Sequence, residues 1–227
     1  MKSNKSIPFI KAVLTVLLFF TSTQIQYIFL ELFGWKIETL TMSNQVILSL
    51  CADIVILLVL VVLYFKDLKK EWQKFRSDLS NNLDTGFKYW LIGILIMMGA
   101  NLIINMINKN SVSGNEEVVQ SMISSLPWIM LINTGLLAPM IEEITFRKTH
   151  YDTIHNEKVF VIVSGLVFGF LHVASFLTNP INLLYIIPYG ALGSMFALMY
   201  KKTGSVFTSM SMHALHNTIL TLLSILV

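Results

Sequence analysis

Seven apolar stretches, separated by short polar segments, constrain this chain more than any other feature of its sequence. Each is close to the ~20 residues that an α-helix needs to cross the hydrocarbon core of a bilayer. Of the 227 residues, 55% are hydrophobic and only 13% are charged, unlike an ordinary soluble domain. We therefore predict an all-α, polytopic membrane protein with about seven transmembrane helices. The predicted spans are 10–33, 46–65, 89–107, 126–146, 159–177, 183–200 and 206–227.

The first stretch follows a basic segment, "MKSNKS", and in this respect resembles a signal peptide. It is long for such a peptide and has no small-residue cleavage site before Glu31. We expect it to be retained as a membrane anchor. One cysteine, Cys51, excludes an internal disulfide framework and a thiolate cluster for zinc.

The lysines and arginines predict the orientation of these spans, because such residues favour cytoplasmic loops. With the N-terminus inside, fourteen of the sixteen fall in inner segments, and only Lys36 and Lys109 fall outside. The C-terminus is then extracytoplasmic. In one inner segment, 66–79, Leu68, Trp72 and Phe75 recur at helical spacing among basic residues. This pattern predicts an amphipathic helix lying on the inner membrane surface, or a solvated connector with a few apolar contacts.

Polar side chains inside spans are costly in hydrocarbon, by ~2.5 to 3.5 kcal/mol for a central charge, so they usually face a protein interior or a water-filled cavity. Here they concentrate in the fourth, fifth and seventh spans. An isolated acid, Asp53, lies in the second span, and we expect it to form a helix-joining hydrogen bond, with Asn101 or Asn105 as its candidate partners. The polar residues of the late spans are Glu142, Glu143, Arg147, His172, His213, His216 and Asn217.

Helical spacing predicts that these late residues share a depth in the bilayer. Glu142 and His172 each lie fifteen residues from Glu157 in the turn between their spans, roughly 22 Å along a helix. His213 lies about ten residues from the "KKTGS" turn at the same face, roughly 15 Å. We therefore predict a shared, water-accessible intramembrane active-site cavity that opens toward the cytoplasm.

Spacing also separates the two adjacent glutamates. Glu143 precedes Arg147 by four residues, the favourable order for an intrahelical ion pair. Glu142 is rotated by ~100° from Glu143 and is the freer carboxylate. Pro139 removes a backbone donor from the same helix and should kink it. A carboxylate and an imidazole that hold one water could activate it as a general base, and His213 with Asn217 could donate to an oxyanion. The reaction that this arrangement favours is amide hydrolysis.

The motifs "EEITFR", "FGFLH" and "HALHN" occur in this order on three predicted spans. They resemble the EExxxR, FxxxH and HxxxN signature of the CPBP intramembrane proteases, also called the Abi family, which include CAAX prenyl endopeptidases and bacteriocin-processing enzymes. The resemblance implies one transmembrane protease domain over 1–227, with its motif-bearing core at about 126–227. Short length and Lys-, Asn- and Ile-rich usage are typical of a bacterial member from a low-GC lineage.

The resemblance also implies roles for individual residues. Glu142 would activate water with His172, and His213 with Asn217 would form the oxyanion site. Three further residues would support them: Glu143 and Arg147 would organise the first helix, and Phe168 would pack beneath His172. The family mechanism is that of a glutamate protease without a metal or other cofactor.

Two alternatives stay open at the level of sequence. One Glu and two His are also plausible zinc ligands, which would give a zinc protease in the same pocket. The polar cluster could instead only join helices in a non-catalytic immunity or scaffold protein. For the favoured interpretation, the resemblance implies a membrane-associated peptide or protein substrate, such as a CAAX-type, bacteriocin or signalling-peptide precursor. The expected partners are this substrate and the lipid bilayer of the cell membrane, with no nucleic acid.

Overall fold

The regular elements of this protein are helical throughout the part of the chain that its computed structural model describes, residues 6–109, 112–173 and 179–226. The all-α prediction is confirmed for these ranges. The end of the predicted fifth span, 174–177, lies outside the described residues. The α-helices are α1 (Ser6–Phe20), α2 (Ser22–Leu32), α3 (Met42–Ser77), α4 (Leu79–Ile107), α5 (Gly114–Ser125), α6 (Pro127–Ile132), α7 (Ala138–Glu143), α8 (Thr149–Thr153), α9 (Glu157–His172), α10 (Ile186–Thr203) and α11 (Val206–Leu226).

Four or five helical stretches of the described chain are long and apolar enough to cross a membrane. The fifth is obtained if α1 and α2, which meet at a bend of 49°, form one broken span. The predicted spans at 159–177 and 206–227 coincide with α9 and α11, which are not among these candidates. The four candidates besides the pair of α1 and α2 are Met42–Ser77, Leu79–Ile107, Pro127–Thr153 and Pro180–Thr203.

The segment after the second predicted span does not form a separate surface helix. Helix α3 runs without interruption for 36 residues, so it contains both the span at 46–65 and the basic segment at 66–77. The prediction of a helix lying on the membrane surface is wrong, because no Gly or Pro stops α3 after Phe65. At 1.5 Å per residue the helix is ~54 Å long, which exceeds the ~30 Å hydrocarbon core.

The chain divides into two compact units. The first contains residues Met1–Lys69, Gln120–Thr153 and His213–Val227. Within it α1 packs against α8 and the turn that precedes α8, and the rings of Phe19 and Phe146 meet edge to face at 5.0 Å. Polar contacts also join α1 to α3: Lys11 Nζ lies 3.1 Å from Asp67 Oδ2, and Thr15 Oγ1 lies 3.0 Å from Tyr64 Oη.

The second unit contains residues Lys70–Val119 and Ile154–Met212. Its α9 and α10 approach closely because Gly165 and Gly169 present no side chain at the crossing, as in the GxxxG pattern of membrane helices. A Cβ at Gly169 would lie 2.8 Å from the backbone N of Gly190. On its other side, α10 packs against α4 around a buried cluster. That cluster comprises Leu192, Phe196, Met199 and Met212, with Tyr89, Trp90 and Met97 against it.

Candidate active site

The helical stretch that carries the two glutamates departs twice from α geometry. A π-helical turn over Asn133–Leu137 precedes α7, and a second over Ile144–Lys148 follows it. Pro139 lies at the start of α7 and has no N–H, which accounts for irregularity at the first turn. Where a kink was predicted at Pro139, the structure has a π turn directly before it. Such turns are frequent at functional sites, and here they enclose Glu142 and Glu143.

Glu143 and Arg147 form the ion pair that their spacing predicts. The Arg147 Nε atom lies 3.3 Å from Glu143 Oε2, and both side chains are fully buried. Burying two charges requires that each be compensated, since an isolated charge costs several kcal/mol in such an environment. The pair therefore fixes the orientation of the Glu143 carboxylate.

His213 lies against both glutamates. Its Nδ1 atom is 3.0 Å from Glu143 Oε1, and because a carboxylate accepts hydrogen bonds, this nitrogen is the donor. The other ring nitrogen, Nε2, lies 3.8 Å from Glu142 Oε2. This separation is too long for a direct hydrogen bond. Among the described residues, Glu142 Oε2 has no hydrogen-bond partner, although the atom is buried.

The sequence placed His213 at the depth of the glutamates but did not predict its bond to Glu143. Depth follows from counting residues along a helix, whereas the direction of each side chain depends on helix phase. The two π turns shift that phase, because each inserts one residue relative to an uninterrupted α-helix. A matched depth was thus the only signal available.

Asn217 lies one helical turn after His213 on α11. Its Nδ2 atom donates to the backbone carbonyl of Thr134, 3.0 Å away in the first π turn. One of its two N–H groups is thus used for a contact between helices.

His172 belongs to the second unit, whereas Glu142, His213 and Asn217 belong to the first. The pairing of His172 with Glu142 therefore stays a prediction. Within its own unit, His172 Nδ1 donates to the Phe168 carbonyl at 2.8 Å. The imidazole lies between two aromatic rings, Phe168 at 4.2 Å and Tyr189 at 4.8 Å. Nothing in the sequence motif pointed to Tyr189.

The acid in the second predicted span is paired with a residue that the sequence did not suggest. Asp53 Oδ2 accepts a hydrogen bond of 3.0 Å from Asn133 Nδ2, so the expectation of a helix-joining bond is confirmed. The expected partners, Asn101 and Asn105, were wrong. Asn133 lies at the start of the first π turn, a feature that hydropathy does not reveal.

The zinc alternative requires three or four ligands at one place. Among the described His, Cys, Asp and Glu residues, no group of three is arranged to hold a metal ion. In the first unit, the Glu143 carboxylate that faces His213 is already engaged by Arg147.

Comparison with known proteins gives a consistent result. The family described as "Type II CAAX prenyl endopeptidase Rce1-like" matches residues 124–219, which include all of the motif residues. The chain is 25% identical over 116 residues to "Putative membrane peptidase YdiL" of Bacillus subtilis (strain 168), covering 50% of this chain and 44% of that protein. It is 30% identical over 94 residues to "UPF0177 protein YaiH" of Lactococcus lactis subsp. lactis, covering 41% of this chain and 37% of that protein.

A third relative, "UPF0177 protein in abiGi 5'region" of Lactococcus lactis subsp. cremoris, is 28% identical over 94 residues, 41% of this chain and 38% of its own. The chain thus spans less than half the length of these curated relatives. No solved structure matches it significantly.

Proposed function

We propose that the chain is a member of the Rce1-like (CPBP) family of membrane peptidases, whose model matches residues 124–219, and that it is an intramembrane endopeptidase that hydrolyses a peptide bond with an activated water. The observation that carries this proposal is the pair formed by Glu142 Oε2 and His213 Nε2, 3.8 Å apart. The Glu142 Oε2 atom is buried and has no hydrogen-bond donor among the described residues, so a water molecule that donates to it would satisfy it.

In the proposed reaction, Glu142 acts as the general base, with His172 as the second group that holds the water, as the family resemblance implies. The water oxygen attacks the peptide carbonyl, and its proton passes to the Glu142 carboxylate. A tetrahedral oxyanion results. The C–N bond then breaks, and the departing amine takes the proton from Glu142, so the carboxylate is restored for the next cycle.

The proposed oxyanion donors are His213 and Asn217. To donate from Nε2, His213 must carry protons on both ring nitrogens, because Nδ1 already donates to Glu143. The Glu143 carboxylate would stabilise this charged form, and Arg147 holds that carboxylate in place. Asn217 would use the N–H that does not bind Thr134.

A covalent nucleophile has less support. Ser211 lies two residues before His213, but its hydroxyl donates to the Phe207 carbonyl at 2.7 Å. Such a bond to the preceding helical turn directs Oγ along its own helix. Direct attack by water is therefore the mechanism that we favour over an acyl-enzyme.

The proposal includes an architecture and a substrate class. We propose seven spans that surround a cavity open to the cytoplasm, with the N-terminus inside and the C-terminus outside. Residues 1–227 would form one protease domain, with its motif-bearing core at about 126–227. The substrate would be a peptide or protein held at the membrane by an apolar or lipidated segment, such as a CAAX-type, bacteriocin or signalling-peptide precursor.

Glu142→Gln provides the main test, with Glu38→Gln as a matched control because Glu38 is exposed. Cells carrying each variant would be compared with wild type for their membrane and secreted peptides. We expect one precursor to accumulate uncut only with Glu142→Gln, since removal of a general base lowers rates by about 10²- to 10⁴-fold. The purified variant should unfold at the wild-type temperature.

Three outcomes would overturn parts of this proposal. Unchanged cleavage by Glu142→Gln would exclude Glu142 as the base. Loss of activity with strong chelators, together with stoichiometric zinc in the purified protein, would favour a zinc protease. Retention of the cellular phenotype after alanine replacement of Glu142, His172 and His213 in turn would show a non-catalytic immunity or scaffold role.

A further inference from the structure

The first π turn leaves one backbone carbonyl without a backbone donor. The Ala138 N–H donates to Asn133 O, five residues earlier, which is the π pattern. In that pattern the next donor, for Thr134 O, is the N–H of residue 139. That residue is Pro139, which has no N–H. A backbone carbonyl without a donor is costly inside a membrane protein, so a donor from elsewhere stabilises the turn.

Asn217 supplies that donor. Its Nδ2 lies 3.0 Å from Thr134 O, in the same compact unit. The adjacent residue, Gly135, allows α11 to come close, because a Cβ there would lie 2.6 Å from Thr218 Oγ1. Asn217 thus reaches the backbone where the two helices are nearest. Asn217 is four residues, about one turn, from His213 on α11, and Thr134 lies eight residues before Glu142.

We propose that Asn217 is a positioning residue, which binds the carbonyl left unpaired by Pro139 and thereby holds His213 Nε2 opposite Glu142. The inference rests on the proposed function, because it assigns a purpose to the 3.8 Å separation of Glu142 Oε2 and His213 Nε2. It deepens the role of Asn217 beyond oxyanion donation. An oxyanion donor would be needed whatever residue stands at 139, whereas the positioning bond is needed because residue 139 is a proline.

This difference defines a double-mutant test. Pro139→Ala returns an N–H that can donate to Thr134 O, so it should substitute for the lost amide of Asn217→Ala. Asn217→Ala alone should lower the unfolding midpoint by about 2–6 °C in detergent. In the Pro139→Ala background the same change should lower the midpoint by less than half as much. Cleavage of the precursor identified above should recover only in part in the double variant relative to Asn217→Ala, because the N–H that Asn217 would donate to the oxyanion is still missing.

Thr221→Val is the matched control. The Thr221 hydroxyl joins α11 to the same residue, at 2.8 Å from Thr134 Oγ1, but it does not bind the backbone carbonyl. Thr134 Oγ1 keeps its own bond to Met130 O. Pro139→Ala should therefore leave the effect of Thr221→Val unchanged.

Equal loss of stability from Asn217→Ala in both backgrounds would overturn the proposal. Recovery of the midpoint with no recovery of cleavage at all would also overturn it, since the bond would then stabilise the fold without positioning His213. If Asn217→Ala does not fold, a folded Pro139→Ala/Asn217→Ala protein supports the proposal, and an unfolded one overturns it. If the wild-type protein cleaves no precursor, the proposed function is refuted. The unfolding midpoints would still test the bond between Asn217 and the Thr134 carbonyl.

Discussion

His213 and His172 are both held through Nδ1, but their surroundings are opposite in character. Both donate from Nδ1, which leaves Nε2 as the nitrogen directed away from the anchoring bond. His213 donates to the buried carboxylate of Glu143, which Arg147 holds from its other side. His172 donates to the backbone of its own helix and is held between the rings of Phe168 and Tyr189.

The difference shows two ways to orient an imidazole inside a membrane protein. The orientation of His213 depends on charge, and loss of one partner leaves another charge buried without compensation. The orientation of His172 depends on packing, because the aromatic rings of Phe168 and Tyr189 act through contact. Its hydrogen-bond acceptor is a backbone carbonyl, which a side-chain substitution does not remove. Substitutions that remove a charge should therefore be most harmful near His213. Substitutions that change side-chain volume should be most harmful near His172.

Glu143→Gln should have the largest effect. It removes the acceptor of His213 Nδ1–H and leaves Arg147 charged and fully buried. We expect the free energy of unfolding to fall by about 3–5 kcal/mol. Denaturant titration in detergent measures this loss. The control is Glu143→Gln/Arg147→Met, which removes both charges and should recover most of the lost stability. A loss below about 1 kcal/mol for the single variant would contradict the charge-based account of His213.

Gly169→Ala should have an intermediate effect on the second unit. The added methyl would lie 2.8 Å from both the Gly190 N and the Ile186 O atoms, so α9 must move away from α10. Overpacking of this kind costs about 1–3 kcal/mol in the free energy of unfolding. Gly99→Ala is the control, because Gly99 has nothing within 4 Å of the new Cβ, and it should be neutral or slightly stabilising. Equal stability of the two variants would refute the close packing of α9 and α10.

Tyr189→Leu should have the smallest effect. It removes one of the two rings that hold His172, an interaction worth about 0.5–1.5 kcal/mol. If His172 acts as proposed, cleavage of the accumulated precursor should fall by up to about tenfold, with little change in the unfolding midpoint. Tyr189→Phe keeps the ring and loses the hydroxyl, which lies 2.9 Å from Ser113 Oγ, so its cleavage rate should stay within about twofold of wild type. Equal rates for Tyr189→Leu and Tyr189→Phe would show that stacking does not position His172.

Much of the fold could be predicted because its signals are local. Within the described residues the predicted spans fall on helical segments, although only four or five are long and apolar enough to cross a membrane. The four-residue spacing of Glu143 and Arg147 predicted their ion pair correctly. The boundary after the second span was wrong, because the end of an apolar run does not end a helix when good helix formers follow. The partner of Asp53 was wrong because contacts between helices depend on rotation as well as depth.

The sequence by itself determined that this is a membrane protein of helices with an ordered set of Glu, His and Asn residues, since composition and spacing along one helix are properties of the chain. Only the tertiary structure decided which side chains meet. It placed His213 between two glutamates, Asn217 on the carbonyl of Thr134, and Tyr189 over His172. Two π turns change the phase of the helix that carries Glu142, and glycines set how closely neighbouring helices approach. The phase of a helix and its distance from a neighbouring helix cannot be obtained by counting residues, because both arise from backbone geometry that packing selects.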